Sequence, residues 1–387
     1  MARGPSREHE LPRHSLLRGI TDRAVLDLVL ERGRVTRADV ARDTGISKPT
    51  ISAAMSRLEH AGLLRAAGTR DGQPGRLATW YDLAPTAGWV LALDVDADGV
   101  HLRAVDLAAR LVLQSDAPPV APGDSRAMVR SIRAAVRRVL RATDVNGPLR
   151  CVGMSVANAV RPDTGEVLSL PNTPFPEGLV DPRRVFSGLV EAPLVVENDI
   201  NCAALAEHRG GAAAGVDNFA YLFVGAGLGM GVYVDGRLAR GAHGTAGEIG
   251  YLTSGHGRGN RLTLVSELGR LGFSRGRGSS AIDVDRVRRA LTAAQRDGVD
   301  ATGVVEVLGT SVGQIIADTS AVIDPELVIL GGPLGTDPAV LAIARRTVAE
   351  LAPSPVRIDY GVLGEAASLD GATQLALDRA LLGILDA

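Results

Sequence analysis

Apolar positions in the first eighty residues recur at helical spacing in three short blocks. Between Thr21 and Arg32 they fall at Ala24, Val25, Leu28, Val29 and Leu30, which predicts a helix capped by the Thr21 hydroxyl and ended at Arg32-Gly33. Residues 1–20 lack the pattern and are expected to form a flexible leader. The second block, TRADVARDT from Thr36, turns Ala38, Val40 and Ala41 to one side; Gly45 then supplies a tight turn and Ile46 plugs the core. The third is SKPTISAAMSRLEHAG, capped by Ser47, with Pro49 in the first turn, where its missing N–H costs nothing, and Ile51, Met55 and Leu58 inward. The segment LLRAAGTRDGQPGRLATWYDL reads as strand, Gly/Pro loop, strand. Helix, turn, helix and hairpin in that order predict a winged helix-turn-helix over residues 21–85.

From Trp89 the pattern changes. WVLALDVDADGVHLRAVDLAARLVLQS alternates as strands around Asp/Gly turns, a β-meander. A helix is predicted over 125–143, a strand over 149–156, then LVVEND, a helix NCAALAEHRGG, and a second strand–turn–strand at NFAYLFVGAGLGMGVYVDGRLARG. A helix over 304–323, the buried strand PELVILGG and a final helix over 371–385 follow. Strands alternating with helices predict mixed α/β layers, and the meander openings near 90 and 219 suggest two related lobes in residues 88–387.

With 387 residues, 45% apolar and 22% charged, the chain has the composition of a multi-domain globular protein. No apolar run reaches the roughly 18 residues of a membrane span, and MARGPSREHELPRHS has no secretory h-region. The expectation is a soluble cytoplasmic protein with no membrane partner. Cys151 and Cys202 are the only cysteines, too few for a disulfide framework. The net charge of −2 hides an asymmetry: residues 1–80 hold 14 Arg/Lys against 9 Asp/Glu, a balance of +5, and the remainder carries −7. A basic head on an acidic body favours an anionic partner, and with the wing it points to double-stranded operator DNA over a plain helical bundle. The candidate contacts are Ser47, Lys48, Pro49, Thr50 and Ser52 at the exposed start of the third helix, Arg57 further along it, and Arg76 at the wing tip.

Several motifs dissolve on inspection. Asp94-Val95-Asp96-Ala97-Asp98-Gly99 matches the first half of a calcium loop, but Val105 stands where the bidentate glutamate belongs. The glycines at 225, 227, 229 and 231 do not have dinucleotide spacing, which leaves close backbone approach to some ligand. His243 and His256 lack nearby ligand-spaced partners. No metal and no cofactor is expected. The better constellation is Glu197-Asn198-Asp199 at a strand end with Glu248 from a later loop. Carboxylates and an amide converging there suit the hydroxyls of a polyol, and an aspartate so placed also suits proton abstraction in phosphoryl transfer. The alternative is that Asp199 merely caps a helix and Glu248 is solvated.

Across almost the whole chain these residues resemble the ROK family of bacterial sugar repressors and sugar kinases. GISKPTISAAMSRLEHAGLL is similar to its recognition helix, VGAGLGMGVYVDGRLARGAHGTAGEIGY to its signature stretch, VENDINCAALAE to its catalytic-loop segment and PELVILGG to its late strand. The resemblance implies a two-lobed actin-like, ribonuclease-H-like sugar-kinase fold whose last helix returns to the first lobe. It implies a homodimer or homotetramer on DNA and a sugar or sugar-phosphate effector between the lobes. It also implies effector contacts from Asn198, Asp199 and Glu248, and from Asn172 in LPNTP and Tyr251. The departures point away from an active kinase. The family's opening aspartate followed by Gly-Gly-Thr is Asp94 followed by Val95-Asp96-Ala97-Asp98 here, and its Gly-Thr-Gly is Gly225-Ala226-Gly227. Two extra carboxylates oppose a triphosphate and two donor hydroxyls are gone. Asp199 is then a vestigial base, and an active kinase carrying a DNA-binding unit is the alternative. The family's zinc-binding histidine and cysteines are replaced by Tyr251 and a cysteine-free stretch bearing Arg258 and Arg261, which are candidates for holding a sugar's phosphate.

Overall fold

A computed structural model describes residues 13–70, 78–143, 147–171, 173–253, 263–276 and 281–385. Helix α1 (Arg13–Arg32) begins well before the expected cap, so Thr21 lies inside it and residues 13–20 are helical, not part of a flexible leader. A strand absent from the sequence pattern, β1 (Arg34–Thr36), follows. Its last residue caps α2 (Arg37–Thr44): the Thr36 hydroxyl accepts from Asp39 N at 3.2 Å while the Asp39 carboxylate accepts from Thr36 N, a reciprocal capping box. Gly45, at φ 69°, makes the left-handed turn that ends α2. Ser47 caps α3 (Lys48–His60), accepting from Thr50 N, and buries Ile51, Ala54, Met55 and Leu58. Strands β2 (Leu64–Arg70) and β3 (Ala78–Leu83) form the wing, with β1 on the free side of β3, in the order β1-β3-β2. Arg76 lies outside the described residues.

In the first lobe, β4 (Trp89–Asp96), β5 (Gly99–Asp106) and β6 (Leu111–Ala117) form the expected antiparallel meander. After α4 (Ser125–Ala142), β7 (Leu149–Val156) joins β4 in parallel; after α5 (Pro182–Phe186), β8 (Leu194–Asn198) joins β7 in parallel. The near-continuous apolar run of β4 is buried on both faces, as a central strand requires. Helix α6 (Asp199–Gly210) leads into the second lobe. There β9 (Phe219–Val224), β10 (Leu228–Val234) and β11 (Arg237–Leu238) are again an antiparallel meander. Helices α7 (Leu264–Arg270), α8 (Val284–Asp297) and α9 (Val304–Ile323) come next. β12 (Leu327–Gly331) pairs in parallel with β9 and, after α10 (Gly332–Gly335) and α11 (Pro338–Leu351), β13 (Arg357–Tyr360) pairs with β12. The sheet orders are β6-β5-β4-β7-β8 and β11-β10-β9-β12-β13. Each is a meander extended by two parallel strands, so the two lobes share one topology.

The last helix, α12 (Ala367–Leu385), ties the parts together. It lies on β4 and β7 of the first sheet and crosses α6, which itself packs on β9 and β10 of the second. The crossing is tight: a Cβ added to Gly371 would sit 2.0 Å from the Cys202 carbonyl oxygen, and one added to Gly153 would meet the Ala372 carbonyl at 2.3 Å. Further along α12, Ala376 and Ala380 join Val25, Leu26 and Val29 of α1 and Val90 and Val105 of the first sheet in one hydrophobic core. The winged unit and the first lobe therefore share a buried interior. No described helix is long and apolar enough to cross a membrane.

Candidate functional site

Strand register places the first elements of the site. Asp94 on β4 pairs with Ser155 on β7, and Ser155 with Glu197 on β8, so the three side chains share one row at the carboxyl ends of parallel strands. That end of an α/β sheet is where ligands bind. Asp94 is buried and accepts a hydrogen bond from the Ser155 hydroxyl at 2.7 Å. Burial pushes its carboxyl up, partly offset by the Ser155 and Ser368 hydroxyls. Asp96 folds back onto its own turn, its Oδ1 accepting from Asp98 N at 2.8 Å and Gly99 N at 3.1 Å. Burial, then the Asp94 charge, raises it to about 6. The calcium-like run is thus an acidic hairpin turn whose free N–H groups are already taken.

Glu197 is buried and held by three donors. It pairs with Arg240, which follows β11 of the second lobe, and accepts from Asn198 N and Asn201 Nδ2, both at 3.0 Å. It is a strut between lobes, with three of its about four acceptor sites taken by protein donors.

Asn198 departs from expectation. Its Oδ1 accepts from Ile200 N at 3.0 Å and Asn201 N at 3.1 Å, which makes it the cap of α6. Its Nδ2 donates to Asp199 Oδ1 at 2.8 Å and to the Asn158 carbonyl at 3.2 Å. A side-chain amide has two donors and two acceptor lone pairs, and all four are spent inside the protein. Asn198 therefore positions Asp199. The capping role expected as the alternative for Asp199 belongs to its neighbour.

Asp199 begins α6, half-buried, with Oδ1 also accepting from Ile200 N at 2.9 Å. Burial holds its carboxyl well above the usual range, and the charges of Asp94, Asp96 and Glu248 push the same way. Glu248, in the turn after a glycine-rich segment, is half-buried, not solvated, and is raised by burial. Asp94, Asp96, Asp199 and Glu248 thus share one field although they come from three separate stretches of chain. Burial, with like charge added at Asp96 and Asp199, raises all four carboxyls.

The glycine run is explained mainly by packing. A Cβ on Gly231 would lie 2.5 Å from Ala204 Cβ, and one on Gly229 2.2 Å from Ile200 Cδ1, so these glycines let β10 lie directly on α6. Gly247, at φ 86°, brings the Glu248 segment against β10, its carbonyl accepting from Met230 N at 2.9 Å.

Tyr251 is half-exposed, and its hydroxyl donates to the Pro171 carbonyl at 2.5 Å. It straps the Glu248 turn to the loop after residue 170, so its donor too is committed within the protein. Asn172, next to Pro171, lies outside the described residues, as do Arg258 and Arg261. A residue missed from the sequence organises this side: buried Asn158 accepts from Thr173 Oγ1 at 2.7 Å and donates to the Phe175 carbonyl at 3.0 Å, while its own carbonyl receives Asn198. A lone amide in the apolar run VGMSVANAV was the available signal. The family's zinc does not fit here, since a tyrosine committed to a carbonyl replaces the imidazole. Among the described residues no group of three or more His, Cys, Asp or Glu is placed to hold a metal.

On the winged unit, Ser47, Lys48, Pro49 and Thr50 are all exposed and Ser52 is half-exposed. The Ser47 and Thr50 hydroxyls bond each other at 2.8 Å. Arg57 is exposed but tied back, its guanidinium making two hydrogen bonds to Asp22 of α1, the shorter 2.6 Å. That pairing holds the Arg57 guanidinium against α1 in this structure.

Comparison with known proteins agrees with this layout. The ROK family model matches residues 90–266 and 281–379, and a model described as winged helix-turn-helix DNA-binding matches 19–65. The xylose repressor of Caldicellulosiruptor bescii is 25% identical over 241 residues, 62% of this chain and 60% of that protein. The Bacillus subtilis xylose repressor is 23% identical over 245 residues, 62% of each chain. This chain therefore matches about 60% of the length of these relatives. A crystal structure of a ROK family transcriptional regulator, a homolog of E. coli MLC protein, superposes with TM-score 0.72 at 19% identity, covering 96% of this chain and all of that one. A ROK family glucokinase from Streptomyces griseus in complex with glucose and AMPPNP gives 0.55 at 25% identity, covering 75% of this chain and 99% of that one. Two lobes of one topology, an acidic group at the strand ends and a match over most of the chain establish that the protein belongs to the ROK family.

Proposed function

We propose that the protein is a DNA-binding transcriptional regulator, a repressor of carbohydrate genes, whose hold on operator DNA is released by a sugar bound at Asp199 and Glu248. The observation that carries this reading is the shared core: α12 runs from the α6 crossing beside the acidic cluster to the α1 face of the winged unit. A ligand that moved the lobes would be felt at the DNA-binding surface through packed side chains. The curated relatives named xylose repressors make xylose the first sugar to try. A dimer or tetramer, in the cytoplasm, fits the reading, because two half-sites on DNA need two winged units.

The cleft does no phosphoryl transfer. Asp96 occupies the N–H groups of Asp98 and Gly99 that a phosphate would need, and its carboxylate opposes the same charge. Asp199 retains the place of a base without a cradle for the nucleotide. The test is paired: sugar-induced release of operator DNA and sugar-dependent ATP consumption, each in the parent and in Asp199→Ala. Release that disappears with Asp199→Ala while DNA binding persists is expected. ATP turnover that disappears with Asp199→Ala would make the protein a kinase and overturn the reading.

A further inference from the structure

Among the described residues, most of the arginines on the winged unit are paired with carboxylates of the unit itself. Arg23 pairs with Asp27, Arg32 with Asp43, Arg34 and Arg65 with Asp82, Arg42 with Asp39 and Asp43, and Arg57 with Asp22. The +5 balance of the first eighty residues already subtracts these carboxylates; what the pairing limits is which of the 14 basic side chains can turn to a polyanion. Arg37 is different. It is the first residue of α2, half-buried, with no carboxylate partner among the described residues. Its guanidinium carbon lies 5.1 Å from the centre of the Tyr81 ring at the root of the wing. Among the described residues its hydrogen bond is one from a terminal nitrogen to Ser56 Oγ, long at 3.5 Å. Its Nε is buried and has no hydrogen-bond partner among the described residues.

An arginine has five N–H donors in a fixed fork, and a buried donor left unmade costs free energy that a native fold normally avoids. Arg37 keeps nearly the whole fork unspent where three DNA-facing elements meet: the start of α2, the flank of α3 and the wing. Ser56 is one helical turn along α3 from Ser52, so the guanidinium sits beside the recognition face. In helix-turn-helix proteins the helix preceding the recognition helix crosses the nucleic-acid backbone, and a guanidinium fork matches a phosphate in bidentate fashion. We infer that Arg37 is a DNA phosphate clamp: on docking, its fork turns from the Tyr81 ring to one backbone phosphate, which fixes the register of α3 in the major groove. This rests on the DNA-binding reading above and adds a residue that the exposed start of α3 does not reveal.

The experiment measures binding of the full chain to a mixed-sequence 40-base-pair duplex across 50–200 mM salt. Such binding is almost wholly electrostatic, and each phosphate contact contributes about −0.9 to the slope of log K against log salt. The variants are Arg37→Gln, Arg37→Lys and, as a control with the same loss of charge on α4 of the body, Arg126→Gln. Arg37→Gln is expected to flatten the slope by about 0.9 per engaged arginine, so that its deficit against the parent shrinks about 3.5-fold per contact as salt rises over that range. Arg37→Lys and Arg126→Gln should keep the parent slope, and all three variants should melt with the parent. An unchanged slope in Arg37→Gln overturns the clamp, as does an equal loss in Arg37→Lys accompanied by a lower melting temperature, which marks Arg37 as a structural stitch. A parent that binds no duplex at 50 mM salt overturns the DNA-binding reading itself, and the clamp with it.

Discussion

Replacing Asn198 separates positioning from ligand contact. In Asn198→Ala, Ile200 N and Asn201 N lose their cap, a change that costs about 0.5–2 kcal/mol. Asp199 and the Asn158 carbonyl each lose a donor, at about 0.5–1.5 kcal/mol apiece; the bond to the half-buried Asp199 is taken at the same value because solvent screens it. Together these give about 1.5–5 kcal/mol, or roughly 3–20 °C in the melting midpoint at about 2–4 °C per kcal/mol. Asn198→Ser restores the cap oxygen and should recover about half of that loss, but not the bond that aims Asp199. The assay is thermal unfolding of parent, Ala and Ser variants beside sugar-induced DNA release. The expected order of stability is parent, Ser, Ala, with the sugar response weakened in both variants. Equal melting of all three with loss of the sugar response would refute the argument, since Asn198 would then touch the effector without supporting the fold.

The other predictions concern charge, packing and recognition. The Asp96 carboxyl is raised from 3.8 to about 6, so its ionised form is disfavoured in the fold, and the associated stability is present below pH 3.8 and lost as pH rises through 6. Asp96→Asn should therefore melt higher than the parent at pH 7.5 and lose that advantage by pH 4; a constant difference across melts at those two pH values would contradict this. Gly371→Ala drives a Cβ into the Cys202 carbonyl and should cost at least about 1–3 kcal/mol as α12 lifts from α6; calorimetry showing an unchanged midpoint would refute the tight crossing. In gel shifts on operator DNA, Lys48→Ala should weaken binding or relax sequence preference, whereas Arg57→Ala, which loses only a surface pair with Asp22 worth about 0.2–1 kcal/mol, should leave affinity nearly intact. Parent-like affinity for Lys48→Ala together with a large loss for Arg57→Ala would reverse the assignment of the recognition face.

Local physics made much of this protein legible in the chain itself. A capped helix, a left-handed glycine and a Pro-initiated helix are encoded within a few residues, so α2, Gly45 and α3 could be read directly from TRADVARDTGISKPT. Period-two runs around Asp/Gly turns likewise gave both meanders, and 304–323 is a helix because its apolar residues recur at helical spacing opposite a stripe of Glu306, Thr310, Gln314 and Asp318. What the chain alone did not decide depends on partners distant in sequence. β1 has only three residues and exists because β3 offers it a ladder; α1 extends to Arg13 past a threonine that looked like its cap. The site shows the same division. Carboxylates at 94, 96, 199 and 248 were visible as residues, but sequence carries no information on which of four hydrogen-bonding sites an amide has already spent. The row Asp94–Ser155–Glu197 follows from strand register, Asn198 is consumed by the helix it caps, Glu197 by an arginine from the other lobe, and Arg57 by α1. Arg37 keeps most of its fork unspent because no carboxylate among the described residues is folded against it. A side chain's type is written locally, whereas its availability depends on what the tertiary structure brings within hydrogen-bonding distance.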